Sequence, residues 1–310
     1  MKVEVEVVDS TQRNVNDTAA GETLLACFAH PDDEAFGSGG TLARYASEGA
    51  RVVLVCATAG EVGEISDPAL ASPENLGEVR REELRCSARQ LGASDVIFLG
   101  YRDSGMAGTA DNENPKAFAK ARDEDVVSQL VGIMRDLKPK VVVTFEPGGG
   151  YGHPDHIAIS RHTAAAFVAA GDPKRFPERG AAWQPSRLFY TAIPRSFFIE
   201  MRDRLQEMGI DTSDFARFEE AGAGWPDEKI NVTMDISEFI EAKWTALHCH
   251  RTQLSPDNLF FKVPEQVVKQ GFSRESFALA IPEPRQGERL SGLFAGLKRN
   301  GTGTTPLSKG

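Results

Sequence analysis

The run LLACFAHPDDEAFGSGGTLARYASEGARVVLVCA, residues 24–57, decides the fold. Its first six residues, LLACFA, are an apolar run of strand length bounded by polar residues and read as a buried strand. GGTLARYASEG at 39–49 supplies the following helix, and VVLVCA at 52–57 is a second apolar strand. That order is the start of a βαβ unit. Between strand and helix lie His30, Asp32, Asp33 and Glu34, followed by a glycine run expected to form a tight turn.

The alternation continues outward. NLGEVRREELRCSARQLG (75–92) reads as a helix, VIFLG (96–100) as a short strand, AKARDEDVVSQLVGIMRDL (119–137) as a helix and VVVTF (141–145) as a strand. Repetition of this order predicts an α/β fold with a mostly parallel sheet covered on both faces. Gly, Pro and charge clusters near 60–75, 103–118 and 171–187 read as long loops, and AGAGWPDEK at 221–229 as another break. Beyond it, 230–236 is expected as a strand and 237–254 as a helix. The glycine-rich tail from 303 is expected to be mobile. Loops after parallel strands converge over their C-terminal ends, where ligands bind in such sheets.

With 310 residues, 41% of them hydrophobic, the chain can bury a sizeable core. Its formal charge of -10 argues against nonspecific binding to nucleic acid or to an anionic membrane. The N-terminus lacks a basic segment followed by a long apolar run, and no apolar stretch reaches membrane-spanning length, so a cytoplasmic location is the expectation. Cys27, Cys56, Cys86 and Cys249 are far apart and read mostly as reduced core cysteines.

The glycines at 37, 39 and 40 follow a strand, as a phosphate-binding turn would. GSGGTLA is not the dinucleotide fingerprint, and acidic Asp32 and Asp33 would stand beside a pyrophosphate, so nucleotide binding is a weak reading. A second polar cluster changes the weighing. YGHPDH at 151–156 follows VVVTF and repeats, in His153 and His156, the three-residue interval of His30 and Asp33. Three of the six histidines fall in these two clusters. If their strands are neighbours, His30, Asp33 and His156 can surround one ion, with open positions for water and substrate. A structural polar network is the rival. Zinc suits this donor set, and iron(II) also accepts imidazole and carboxylate. His162 reads as a surface or packed helix residue.

The pair AHPDDE and GHPDH resembles the PIG-L and LmbE-like metal-dependent deacetylases, which hydrolyse N-acyl groups of glucosamine-containing compounds. The resemblance extends over about residues 22–285 through GEVRREEL (77–84), YRDSGMAG (101–108) and HRTQ (250–253). It implies a Rossmann-like three-layer catalytic domain over 1–285, with an insertion or subdomain expected at 171–229. A C-terminal extension, 286–310, is expected to be partly mobile.

Carried onto this sequence, the resemblance makes His30, Asp33 and His156 metal ligands and Asp32 the general base. A ligating carboxylate donates to the metal while its free neighbour can take a proton from water. His153 and Tyr151 resemble the groups that approach the amide and would stabilise the oxyanion, and His153 can also protonate the leaving amine. Asp155 would hold His153 in a useful tautomer or cap a helix. Arg80, in preference to Arg81, would reach the substrate, and Asp103 would accept sugar hydroxyls. Glu82 and Glu83 are expected on the helix surface. His250 is placed near the pocket, His248 is expected to be structural, and Glu34 would orient the loop.

The leading expectation is hydrolysis of the N-acetyl amide of an N-acetylglucosaminyl conjugate, an inositol or malate precursor of a low-molecular-weight thiol. Alternatives are an amidase cleaving mycothiol-type S-conjugates, a metal-stabilised sugar-binding protein without turnover, and metal-assisted phosphoester hydrolysis. The partner is a small molecule, and a homo-oligomer is compatible with the sequence.

Overall fold

Strand β1 (Thr23–Phe28) lies at the middle of the molecule, flanked by β2 (Arg51–Cys56) and β4 (Val141–Phe145). The computed structural model describes residues 19–212, 224–255 and 263–298. With β3 (Asp95–Phe98), β5 (Arg187–Thr191), β6 (Val232–Asp235) and β7 (Arg274–Ile281), the strands form one seven-stranded sheet in the order β3-β2-β1-β4-β5-β7-β6. The first five run parallel, while β7 is antiparallel to β5 and β6 to β7. A mostly parallel α/β sheet is therefore what the chain builds.

Alternation of side chains along each strand feeds two cores. Leu24, Ala26 and Phe28 face one, with Leu42 of α1 (Asp33–Ser47), Leu84 of α2 (Leu76–Gln90) and Leu247 of α6 (Ile240–Cys249). Leu25, Cys27 and Ala29 face the other, with Leu130 of α3 (Asp123–Leu137) and Ile159 of α4 (Pro154–Ala170). Helices on both faces explain why the central strands are apolar throughout. Two further helices, α5 (Arg195–Glu207) and α7 (Glu265–Gly271), complete those named here. Among the described residues no helix is long and apolar enough to cross a membrane.

Several expectations change. Helix α1 begins at Asp33, so Gly37, Gly39 and Gly40 lie inside it and form no turn. They admit neighbours: a Cβ on Gly40 would stand 2.6 Å from Ile236 Cδ1 and Cγ1. The Gly40 and Thr41 amides donate to the Glu275 carboxylate at 2.9 and 2.7 Å, and Lys243 Nζ donates to it at 2.8 Å. Gly40→Ala is therefore expected to destabilise by about 1–3 kcal/mol despite alanine's better helix propensity, because overpacking outweighs it. A lowered thermal midpoint with unchanged secondary structure by circular dichroism would show this.

The 171–229 segment, expected as an insertion or subdomain, supplies β5 to the sheet between β4 and β7, and β7 is a further strand beyond the sequence expectations. Residues 286–298 pack back on the domain: Leu293 and Phe294 are buried, and the Leu293 N–H donates to the Tyr45 hydroxyl at 2.8 Å. The tail from 303 lies outside the described residues. Cys27 and Cys56 are buried thiols, but Cys86 and Cys249 form a disulfide because α2 packs on α6, bringing their Cα atoms within 5.8 Å.

Candidate functional site

The sheet order reverses at β1, whose neighbours β2 and β4 are reached by connections on opposite sides. Leu24, Leu25 and Ala26 pair with Val141, Val142 and Val143, so the two histidine-bearing loops leave adjacent strands at the same end. The condition posed by the sequence, neighbouring strands, is met at the topological switch point.

There, His30 Nδ1 lies 3.1 Å from His156 Nε2 and 3.7 Å from Asp33 Oδ2, and His156 Nε2 lies 3.3 Å from Asp33 Oδ1. Ligands about 2 Å from a tetrahedral ion stand roughly 3.3 Å apart, so these three side chains fit a divalent metal. Each is aimed by a further contact. The other nitrogen of His30, Nε2, faces Asp155 Oδ2 at 3.2 Å and Asp103 Oδ1 at 3.5 Å. His156 Nδ1 faces the Gly149 carbonyl at 3.1 Å, and Gly149 itself adopts φ 69°. The Asp33 carboxylate accepts the Ala29 and His30 amides at 3.1 and 2.8 Å. Burial opposes its ionisation, but His156 and His30 hold its pKa below the usual carboxylate range.

His30 also lies within coordinating reach of two other sets, one with His153 and His156 and one with Asp103 and Asp155. The second set meets His30 on the nitrogen that the carboxylates orient. In the first, His153 Nδ1 accepts the Asp155 N–H at 3.1 Å, which caps α4 and leaves the ring proton on Nε2. His153 is then a donor toward the site. Burial and the neighbouring His30 and His156 push its pKa down to about 4, keeping the imidazole neutral.

Asp32 stands beside this set. Burial pushes its pKa up to about 6 against the pull of the Arg80 guanidinium. Arg80, expected at the substrate, is 3% exposed and donates to Asp32 Oδ2 at 3.2 Å, the Pro31 carbonyl at 2.6 Å and the Gly60 carbonyl at 2.8 Å. It ties two site loops together. Arg81 packs over Phe98 instead, its Cζ 4.5 Å from the ring centroid.

Tyr151 is 69% exposed, its ring 5.0 Å from that of His156 and 6.1 Å from that of His153. Asp103 is buried against His30 and accepts the Gly105 N–H at 2.8 Å. The expected contact of the Asp155 carboxylate with His153 does not form: it binds His30 and both the amide and hydroxyl of Ser104. Ser104 was not singled out from sequence, since serine in a loop carries no signal of its own. Glu83, expected on the surface, is buried and accepts the Thr252 amide and hydroxyl at 2.8 and 2.7 Å. His250 reaches Glu34 from α6, His162 is buried beside Asp123, and His248 stays on its own helix against Trp244. Because Asp155 fixes the His30 ring, Asp155→Asn is expected to weaken metal affinity about 10–100-fold, measurable by competition with a coloured chelator.

The PIG-L family, described as GlcNAc-PI de-N-acetylase, matches residues 25–167. The chain is 38% identical over 292 residues to a 1D-myo-inositol 2-acetamido-2-deoxy-alpha-D-glucopyranoside deacetylase 1 of Catenulispora acidiphila, covering 90% of each chain. It is 40% identical to the corresponding deacetylase of Thermobifida fusca, covering 85% of this chain and 95% of that one. The solved N,N'-diacetylchitobiose deacetylase from Pyrococcus horikoshii shares the fold, with a TM-score of 0.59 and 23% identity over 86% of this chain and 84% of that one.

Proposed function

Because the chain belongs to the PIG-L family, we propose that it hydrolyses the N-acetyl amide of an N-acetylglucosaminyl-inositol conjugate, releasing acetate and the free glucosaminyl amine. Supporting this choice of substrate are the relatives, whose names specify the inositol glycoside. The structural observation that supports this reading is the different setting of the two adjacent aspartates. Asp33 faces the two histidines, whereas Asp32 is held by Arg80, and this supports assigning metal binding to the first and proton transfer to the second.

A divalent cation held by His30, Asp33 and His156, zinc in this reading with iron(II) as the alternative, would polarise the carbonyl and acidify water. Asp32 accepts the proton of the attacking water as the carbon–oxygen bond forms. Neutral His153 directs its Nε2–H at the carbonyl oxygen as charge grows there, and exposed Tyr151 can close over the same oxygen from the rim. When the carbon–nitrogen bond breaks, Asp32 returns the proton to the leaving amine. Asp103 and Asp155 keep the His30 ring oriented, and Arg80 keeps Asp32 beside the reacting centre.

The test is acetate release from matched N-acetylglucosaminyl-inositol and N-acetylglucosaminyl-malate, with chelated protein as control. Preference for the inositol glycoside, lost on chelation, is expected. Preference for malate would move the assignment to that precursor. Release from neither, with S-conjugates of a glucosaminyl thiol cleaved instead, would replace it with an amidase.

A further inference from the structure

Asp32 has φ 120° and ψ -28°, a backbone conformation that residues with side chains rarely adopt. It persists only where the surroundings over-determine it. Three contacts do so: the Asp32 N–H donates to Glu34 Oε2 at 3.0 Å, its carbonyl accepts the Ala35 N–H at 3.0 Å, and its carboxylate accepts Arg80. The first depends on a side chain whose own position is decided far away in sequence.

Glu34 is 2% exposed. Its Oε1 accepts the Ser87 hydroxyl of α2 at 2.5 Å and faces His250 Nε2, at the end of α6, at 2.8 Å. Ser87 and His250 are themselves buried, at 0% and 1% exposure. A carboxylate is costly to bury unless it is paired and hydrogen-bonded, and this one receives donors from two helices and from the Asp32 backbone. Ser87 and His250 each follow a half-cystine of the Cys86–Cys249 disulfide, so the two helices are joined covalently one residue from the contacts that hold Glu34.

We propose that Glu34 and His250 form a positioning pair that locks the Asp32 backbone, and with it the base, in the strained conformation beside Asp33. His250 then acts through Glu34 and does not touch substrate. The assignment rests on Asp32 being the base of the proposed deacetylase. Substitutions at His250 should therefore change turnover with little effect on substrate affinity, and should loosen the 28–38 segment even without substrate.

The experiment compares wild type with His250→Leu, His250→Gln and Ser87→Ala in metal-loaded protein. It reads kcat and KM on N-acetylglucosaminyl-inositol, and amide hydrogen exchange without substrate. His250→Leu is expected to lower kcat about 10- to 100-fold, because small misplacement of a reacting group has effects of that size. KM should stay within about twofold. Exchange should accelerate in 28–38 while β2 and α3 stay protected. His250→Gln, which retains an N–H for Glu34, should restore both, and Ser87→Ala should show the same pattern in weaker form. A raised KM with unchanged kcat would make His250 a substrate contact, and unchanged exchange in 28–38 would equally overturn the pair. If His250→Leu does not fold, Ser87→Ala carries the comparison. If wild type releases no acetate, the deacetylase reading fails and the exchange result alone decides the pair.

Discussion

Asp32→Asn is expected to lower acetate release by about 10²–10⁴-fold, the range associated with loss of a general base. Asparagine retains the shape of the side chain and an oxygen to accept the Arg80 guanidinium, so the fold and most of the bound metal should survive. It cannot take a proton from water. Measuring kcat together with metal content separates this from loss of the ion, and undiminished turnover in the variant would remove Asp32 from the role. The wild-type rate carries a further signature. As the proposed base, Asp32 must be ionised, and burial raises its pKa to about 6, so the rate should fall as pH drops below about 6. That limb should be absent from the residual rate of the variant.

Chelation is expected to reduce turnover by about a thousandfold or more, since Lewis-acid and water-acidifying effects are together worth several kcal/mol of barrier. His156→Ala should do the same by a different route, with metal content falling alongside activity. Its Nε2 lies 3.1 Å from His30 Nδ1 and 3.3 Å from Asp33 Oδ1, so the proposed ligand set loses its central member. Anaerobic reconstitution with zinc and with iron(II) then identifies the working ion. Full activity with iron(II) alone would overturn zinc, and activity in thoroughly metal-free protein would overturn the ligand set.

Much of the site was legible because its signals are local. LLACFA and VVVTF announce buried strands through short apolar runs, and AHPDDE and YGHPDH place their charged residues directly at those strands' exits. Residue spacing was enough to nominate His30, Asp33 and His156, and resemblance to separate Asp32 from them. Arg80 was nominated for a different contact, since a sequence shows that an arginine lies on a helix but not that Pro31 and Gly60 turn their carbonyls toward it. Ser104, Glu83 and the Glu34–His250 pair rest on contacts between residues 51, 169 and 216 positions apart, with no local pattern.

By itself the sequence determined the α/β alternation, the chemistry of the two polar clusters and their position at strand ends, because periodicity and residue type are properties of neighbouring residues. Only the tertiary structure decided that β1 and β4 are adjacent, that Gly37, Gly39 and Gly40 serve helix packing, that β5 and β7 complete the sheet and that Cys86 meets Cys249. Each of those outcomes depends on which surfaces meet when the chain collapses. Burial and hydrogen bonding across long sequence separations set that meeting, and they override what a glycine run or a charged helix suggests locally.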